Sequence, residues 1–379
     1  MSEKNILDEI REGNCPDNKA IYESMLLAND KLSRYKHVFV SISGGADSDI
    51  LLDIIEKARV GKDVEVNYVY FNTGMEYEST HKHLKYLENK YGIEIERIRP
   101  KEPVPLACKK RGVPFWSKQV SLYLKRLQRH GFEWEDESYE VLLKKYCKRA
   151  TPEMEEEFER ELELSIKENR SAKTKRYSKT EFGWYKGCVS SLKFWCNQYT
   201  DHSKETISKF DIAYIPYLKE FIMENNPDFE ISDECCIYAK KSIIKEYLKK
   251  KLPDLSVSGV RKSEGGVRST AYKNCFTSKS DGVDEYRPIF WYDEKDKEEY
   301  ECFFNIVHSD CYLVYGLKRT GCAGCPFAKG FEDELEIIKK YEPKLYKAAV
   351  NVFGKSYEYT RKYIKFRENK KKERDESNC

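Results

Sequence analysis

Residues 41–48 read SISGGADS: three serines, two adjacent glycines and an aspartate, set between the apolar run 37–40 and an apolar, helix-patterned stretch. Glycine at 44 and 45 lets backbone approach a ligand closely, and the N–H groups that open a helix have no internal partners, so the pattern suits a phosphate. Ser43 and Ser48 add hydroxyl donors. The plain alternative is a tight strand-to-helix turn, which small residues also suit. No lysine follows the glycines, so the loop lacks the side chain with which Walker-type loops hold a γ-phosphate.

A second set of chemistry-bearing residues is made of thiols. Cys235 and Cys236 are adjacent in DECCIYAKK, and Cys322 and Cys325 form a CxxC followed by proline in RTGCAGCPF. Four thiolates so arranged can converge on one soft metal centre. Structural zinc usually draws on two separated pairs, which an adjacent pair fits poorly, whereas an iron-sulfur cubane accepts adjacent cysteines more readily. Zinc, a redox dithiol and simple burial remain the alternatives. Cys188 and Cys196, eight apart, read as core residues, and Cys302 and Cys311 read as packing.

The elements that must position these groups follow from periodicity. A strand at 38–43 precedes a helix at about 47–58; a β-rich run 64–71, a charged helix 78–91 and an alternating run 93–98 follow. Strand, helix, strand, helix, strand predicts βαβ units and an α/β fold with a parallel sheet flanked by helices. Between about 103 and 229 the β signal disappears and helices are expected, among them 119–129 and 153–167, with a polar, basic, mobile loop at 169–180. A strand candidate at 255–260 resumes the sheet. From 331 the chain reads as helical, with a last stretch, ENKKKERDESNC, expected to fray. The expected order is an N-terminal helical segment 1–35, the first part of a nucleotide-binding core 36–102, a helical insertion 103–230, core completion with the cysteine segments 231–330, and a helical tail 331–379. No internal repeat is visible.

The glycine loop, behind a strand and before a helix, resembles the pyrophosphate-binding loop of the N-type ATP pyrophosphatase and phosphoadenosine phosphosulfate (PAPS) reductase superfamily, whose fold is a Rossmann-like parallel sheet. Three further passages carry the resemblance. Residues 70–77, YFNTGMEY, are similar to the family's TGxE-type segment; residues 258–268, SGVRKSEGGVR, to its GxRxxES element; and residues 287–292, RPIFWY, to its P-I-x-x-W segment. The resemblance implies an adenine nucleotide, ATP or another, held by Ser41, Ser43, Gly44, Gly45, Asp47, Ser48, Asn72, Thr73, Gly74, Glu76, Gly259, Arg261, Glu264 and Arg268. Asp47 would organise Mg2+ around the pyrophosphate, since hard cations favour carboxylate and phosphate oxygens. Arg261 and Arg268 would face phosphate or sulfate oxygens, to which a planar fork of donors is suited.

The order CC, long gap, CxxC resembles adenylyl-sulfate (APS) reductases. That likeness implies a 4Fe-4S cluster on Cys235, Cys236, Cys322 and Cys325, with Lys240 between the cluster and an anionic substrate. The pattern departs from the assimilatory reductases in one respect: the Glu-Cys-Gly-type motif that supplies their nucleophilic cysteine is missing, and Cys379, at the end of a lysine-rich tail, has nothing to orient it. Three function classes follow. In the first, ATP-pyrophosphatase-type activation with Asp47, Lys240 and Arg261 as catalytic groups is coupled to sulfur transfer onto an acceptor, served by a sulfur donor. The second is a sulfonucleotide reductase using a thiol donor and releasing sulfite. The third is a non-catalytic nucleotide-sensing module of a mobile-element or defence system. A nucleic-acid acceptor is suggested by the basic segments 109–111 and 118–129, with Trp116 and Tyr123 interleaved; a solvated helix face is the alternative.

Composition sets bounds on these readings. In 379 residues, 68 basic against 65 acidic side chains leave a formal +3, too balanced for net charge to argue nucleic-acid binding. Charged residues make up 35% of the chain, and neither a signal-type apolar core nor a membrane-length run is seen, so a soluble, cytoplasmic protein is expected. In a reducing compartment the 13 cysteines point to metal, cluster or redox groups and buried apolar residues rather than disulfides.

Overall fold

A computed structural model describes residues 5–149, 151–168, 184–185, 188–201, 203, 206–265, 271–280, 282–328 and 330–377. Arg268, Cys379 and the loop 169–180 lie outside the described residues. Strands among those described are β1 (His37–Ile42), β2 (Glu65–Phe71), β3 (Ile95–Ile98), β4 (Lys148–Arg149), β5 (Trp184–Tyr185), β6 (Leu255–Ser258), β7 (Phe276–Thr277) and β8 (Asp284–Tyr286). The chain divides into two compact units. Among the described residues, no helix is long and apolar enough to cross a membrane.

The first unit comprises Met1–Ala107, Cys236–Cys325 and Gly330–Asn351. Its six-stranded sheet has the order β3-β2-β1-β6-β8-β7 and is parallel except for the β7–β8 pair. Alternation along β1 sends Val38, Val40 and Ile42 into one core with Ile50, Leu51 and Ile54, and Phe39 into another with Val69, Phe71 and Tyr247. Both faces are thus covered, as a parallel sheet requires, because crossover helices must lie on its faces. Helices α1 (Ile6–Arg11), α2 (Lys19–Arg34), α3 (Ala46–Arg59) and α4 (Glu78–Tyr91) belong to this unit. The last ends at Gly92, in the left-handed region at φ 64°, where the charged periodicity stops. The short strands β7 and β8 extend the sheet past the last strand expected from the sequence; at two and three residues they carry no readable period.

The position of β1 decides where a ligand can sit. It pairs with β2 on one side and β6 on the other, with Val38 opposite both Val66 and Leu255. Chain order therefore reverses at β1, and in open α/β sheets the crevice at the carboxyl ends of such strands is the binding place. The glycine loop leaves β1 there, and the Gly259–Arg261 segment leaves β6 beside it.

The second unit comprises Cys108–Cys235, Pro326–Lys329 and Val352–Cys379. It is mainly helical around an aromatic core in which Phe115, Phe194, Trp195, Phe221 and Tyr363 are fully buried. The stretch expected to lack strands contains one antiparallel pair, β4 with β5, and a parallel bridge from Val113 to Ile231; elements this short leave no periodic signal. The last helix, Pro343–Ser377, continues where fraying was expected. Tyr359 and Tyr363 bury its side, and Lys370 is paired with Glu220. Cys188 is buried in this core, with Cys147 3.9 Å from it, sulfur to sulfur.

Part of the basic segment 118–129 is paired inside this unit. Tyr123 is buried and stacks on Phe194 at 4.7 Å. Lys125 is buried against Asp233 and Glu234, and Arg129 makes a two-pronged contact with Glu234 at 2.9 Å for each prong. Of the four cations on the amphipathic helix Lys118–Arg129, Lys125 is buried, while Lys118 and Arg129 are exposed.

Candidate functional site

The glycine loop is tightly constrained. Gly44 has φ +68°, and a Cβ there would come 2.7 Å from Thr80 Cγ2, so both backbone and space require glycine. Ser43 and Ser48 brace the loop itself: the Ser43 N–H donates to Ser48 Oγ and the Gly45 N–H to Ser43 Oγ, both at 3.3 Å. The Ala46 N–H donates to the Tyr312 hydroxyl at 3.2 Å, which in turn is 3.2 Å from Thr320 Oγ1. Hydroxyl oxygens therefore occupy the opening turn of α3, the place where N–H groups can receive an anion. Ser41 lies within β1, paired with Val69 and Ser258.

The β6 end meets this loop directly. A Cβ on Gly259 would come 3.0 Å from the Asp47 carbonyl oxygen, so the close approach of two backbones requires its absence. Two residues later Arg261, 5% exposed, donates from Nε to Asp47 Oδ1 at 2.9 Å and from Nη1 to Glu294 Oε1 at 3.0 Å. Burial raises the Asp47 carboxyl above its usual range, while Arg261 and Lys297 pull it down. The Arg261 N–H lies 3.4 Å from Glu264 Oε2.

Residues 72–76 form a turn whose polar groups are spent on one another. Glu76 accepts the Thr73 and Gly74 N–H groups at 2.8 Å, that of Met75 at 3.0 Å, and the Thr73 hydroxyl. Asn72 Oδ1 accepts a second bond from the Gly74 N–H at 2.9 Å. The Glu76 carboxylate thereby fixes the strand end beside which Cys322 lies.

Thr73 Oγ1 is 3.4 Å from Cys322 Sγ, and the Ala323 N–H donates to the Met75 carbonyl at 2.7 Å. The CxxC turn is held from its other side by Glu334, which accepts the Gly324 N–H at 3.1 Å and the Tyr77 hydroxyl. Lys240 faces this group. Its ammonium is raised above the usual lysine range by Cys322 foremost, against burial, and further by Glu76, Cys236 and Cys325. Burial raises the Cys322 thiol, opposed by Lys240 and Thr73. Cys235, covalently next to Cys236, is a buried residue of the second unit. Cys236, Cys322 and Cys325 all act electrostatically on this ammonium, and thiols have the donor chemistry of a soft-metal or cluster site. Among the described residues, no group of three or more His, Cys, Asp or Glu is placed to hold a metal ion.

Thus the structure brings Asp47, Gly259 and Arg261 together, and Thr73, Glu76 and Cys322 together, with Lys240 under the electrostatic influence of Glu76, Cys236, Cys322 and Cys325. Thr320, which lies beside Gly45 of the glycine loop, stands two residues from Cys322 in the second group. Sequence reasoning missed Tyr312, Thr320 and Glu294, which belong to none of the matched segments. It also missed a buried relay behind α3: Asp49 accepts His83 Nε2 at 2.9 Å and His308 Nδ1 at 2.8 Å, and His308 Nε2 is 2.9 Å from Glu301. Cys311 is buried with Tyr77, Leu317 and Ala323, whereas Cys302, expected in packing, is exposed on the helix Glu294–Phe303.

Residues 37–130 match the phosphoadenosine phosphosulfate reductase domain. The matched segment contains the glycine loop and the 72–76 turn, while Arg261 and the cysteine segments lie beyond it. An uncharacterized protein of Methanocaldococcus jannaschii is 45% identical over 64 residues, 17% of this chain; the match spans 13% of that relative's length. Among solved structures, the chain is similar at 12% identity to a PAPS reductase from Candida auris in a phosphate complex, with TM-score 0.37 over 79% of this chain and 87% of that one. It is similar, also at 12% identity, to the U34-tRNA thiolase NcsA of Methanococcus maripaludis with its [4Fe-4S] cluster, with TM-score 0.35 over 92% and 79%. The NH3-dependent NAD synthetase of Campylobacter jejuni matches at 12% identity, with TM-score 0.32 over 90% and 95%.

Proposed function

We propose that the chain binds an adenine nucleotide across the ends of β1 and β6 and uses it to activate an acceptor for sulfur transfer. The observation that carries this reading is the Asp47–Arg261 pair, which sets a carboxylate and a guanidinium together at the point where strand order reverses. A guanidinium there suits phosphate oxygens; a carboxylate there suits Mg2+ bridging to them. In this reading an acceptor oxygen attacks the α-phosphorus of ATP, pyrophosphate leaves, and a sulfur nucleophile then displaces AMP. Arg261 would hold charge developing on the phosphate oxygens, and the glycine loop would orient the pyrophosphate.

The thiols would carry the sulfur half of the reaction. Cys235, Cys236, Cys322 and Cys325 would hold a 4Fe-4S cluster, and the shared pull of Cys236, Cys322 and Cys325 on Lys240 supports a common site for three of them. Bound there, the cluster would supply a soft centre for positioning sulfur. Lys240, kept charged by its neighbours, would orient an anionic group beside it.

The test is anaerobic purification followed by ATP turnover with and without bulk tRNA or DNA and a sulfide source. Pyrophosphate and AMP released in step with thiolated acceptor support the reading. Sulfite released from APS or PAPS with a thiol donor, and lost in Cys379→Ser, would replace it by a reductase.

A further inference from the structure

Arg261 is a buried cation held by two acids of unequal anchorage. The Arg261 side chain is 6% exposed and Asp47 22%, but Glu294, on Nη1 at 3.0 Å, is 69% exposed. Glu294 opens the helix Glu294–Phe303, whose cap is made by others: Asp293 accepts the Asp296 N–H, and Asp296 accepts the Asp293 N–H, both at 2.9 Å. The Glu294 carboxylate is therefore not needed to start its helix. Besides Glu294, Nη1 donates to Ser263 Oγ at 3.2 Å, and among the described residues Nη2 has no hydrogen-bond partner. The guanidinium thus carries one half-buried acid and one solvated acid.

We infer that Glu294 is an internal competitor, a carboxylate that rests on Arg261 where an oxyanion of the nucleotide, phosphate or sulfate, binds, and that leaves when the ligand arrives. This rests on the nucleotide reading above and adds a specificity device to it. A carboxylate and a phosphate oxygen ask for the same donors, so the two cannot share Nη1 fully. Releasing Glu294 costs less than releasing Asp47, because the Glu294 carboxylate is already largely hydrated. Asp47 stays in place and keeps the guanidinium from being buried unpaired. The competitor would raise the threshold for weakly charged anions while a polyphosphate, with several contacts, still displaces it.

Calorimetric titration of the full chain at fixed ionic strength tests this with inorganic pyrophosphate, ATP, sulfate and adenosine. Glu294→Gln and Glu294→Ala should each bind pyrophosphate and ATP about tenfold more tightly, a coupling of ordinary size, with adenosine unchanged. Sulfate gains by the same factor if the Arg261 site takes either oxyanion, and pyrophosphate alone gains if it is a phosphate site; both outcomes support the competitor. Binding by the natural chain with equal or weaker affinity in both variants overturns the inference alone, since a merely structural Glu294 gives that result. Absence of pyrophosphate and ATP binding in all three proteins overturns it together with the nucleotide reading.

Discussion

Arg261 Nε stands 2.9 Å from Asp47 Oδ1, so the loop after β6 is tied by an ion pair to the first turn of α3. Because Arg261 is buried and Asp47 nearly so, the pair should show strong coupling. Arg261→Gln is expected to destabilise the fold by about 2–3 kcal/mol, since Asp47 is left without its cation in a desolvated place. Asp47→Asn should cost less, about 1 kcal/mol, because Arg261 retains Glu294. Urea unfolding of both single variants and the double variant gives the interaction energy directly; strict additivity would show that the pair is not a unit.

Gly44 tests the loop by space as well as by conformation. Gly44→Ala should be destabilising by about 2 kcal/mol and should abolish nucleotide binding, because a side chain at φ +68° is strained and its Cβ meets Thr80 Cγ2 at 2.7 Å. Thr80→Ser removes that methyl and keeps the hydroxyl, so adding it should recover the steric part and leave the conformational part. If the double variant is no more stable than Gly44→Ala by thermal unfolding, the contact is not the cause.

Much of this architecture was readable before any coordinates, and the reasons differ by element. Helix α4 was expected at 78–91 and lies there, because charge periodicity runs to a glycine cap. Strands β1 and β2 were legible because the alternation of a two-faced core is strong in both. The glycine loop stood out since two glycines, hydroxyls and an acid rarely coincide between strand and helix. What failed to show were long-range contacts of ordinary residues: Glu294 on Arg261, Tyr312 on Ala46 and His308 on Asp49 are separated by 33, 266 and 259 positions. No local pattern encodes such pairings. In the basic segment the charge was visible, whereas two acids that pair with part of it, Asp233 and Glu234, lie about a hundred residues on.

His308 gives the fold a pH dependence of defined sign. Burial disfavours its charged form, yet hydrogen bonds to Asp49 and Glu301 hold its pKa at about 9, against an ordinary 6.5. A raised pKa means the folded state binds the proton more tightly than the unfolded one. The resulting stability is fully present below about pH 6.5 and is lost as pH rises through 9, a change of at most about 3 kcal/mol. The groups facing it are Asp49, Glu301, His83 through Asp49, and Lys297 through Glu301. Stability measured between pH 6.5 and 9.5 should fall in the natural chain and fall less in His308→Gln. Equal slopes would remove His308 as the cause.

The thiol group separates the cluster reading from simpler ones by colour, metal content and the behaviour of Lys240. Four thiolates around iron give a brown protein with broad visible absorbance that bleaches on oxidation, whereas zinc leaves it colourless. Replacing Cys236, Cys322 or Cys325 by serine should lose iron, because each of these sulfurs acts on the same ammonium. Cys235→Ser should do the same if the adjacent pair serves together. Cys188→Ser should keep its iron, since that thiol is packed in the aromatic core of the second unit. Lys240→Met should reduce turnover at least tenfold while iron content falls by less than half, as expected for a group that orients substrate rather than holding metal. The two quantities are measured on one anaerobic preparation, iron by colorimetric assay and turnover by pyrophosphate release. A colourless, zinc-loaded protein would end the cluster reading, and iron retained in Cys322→Ser would show that the metal sits elsewhere.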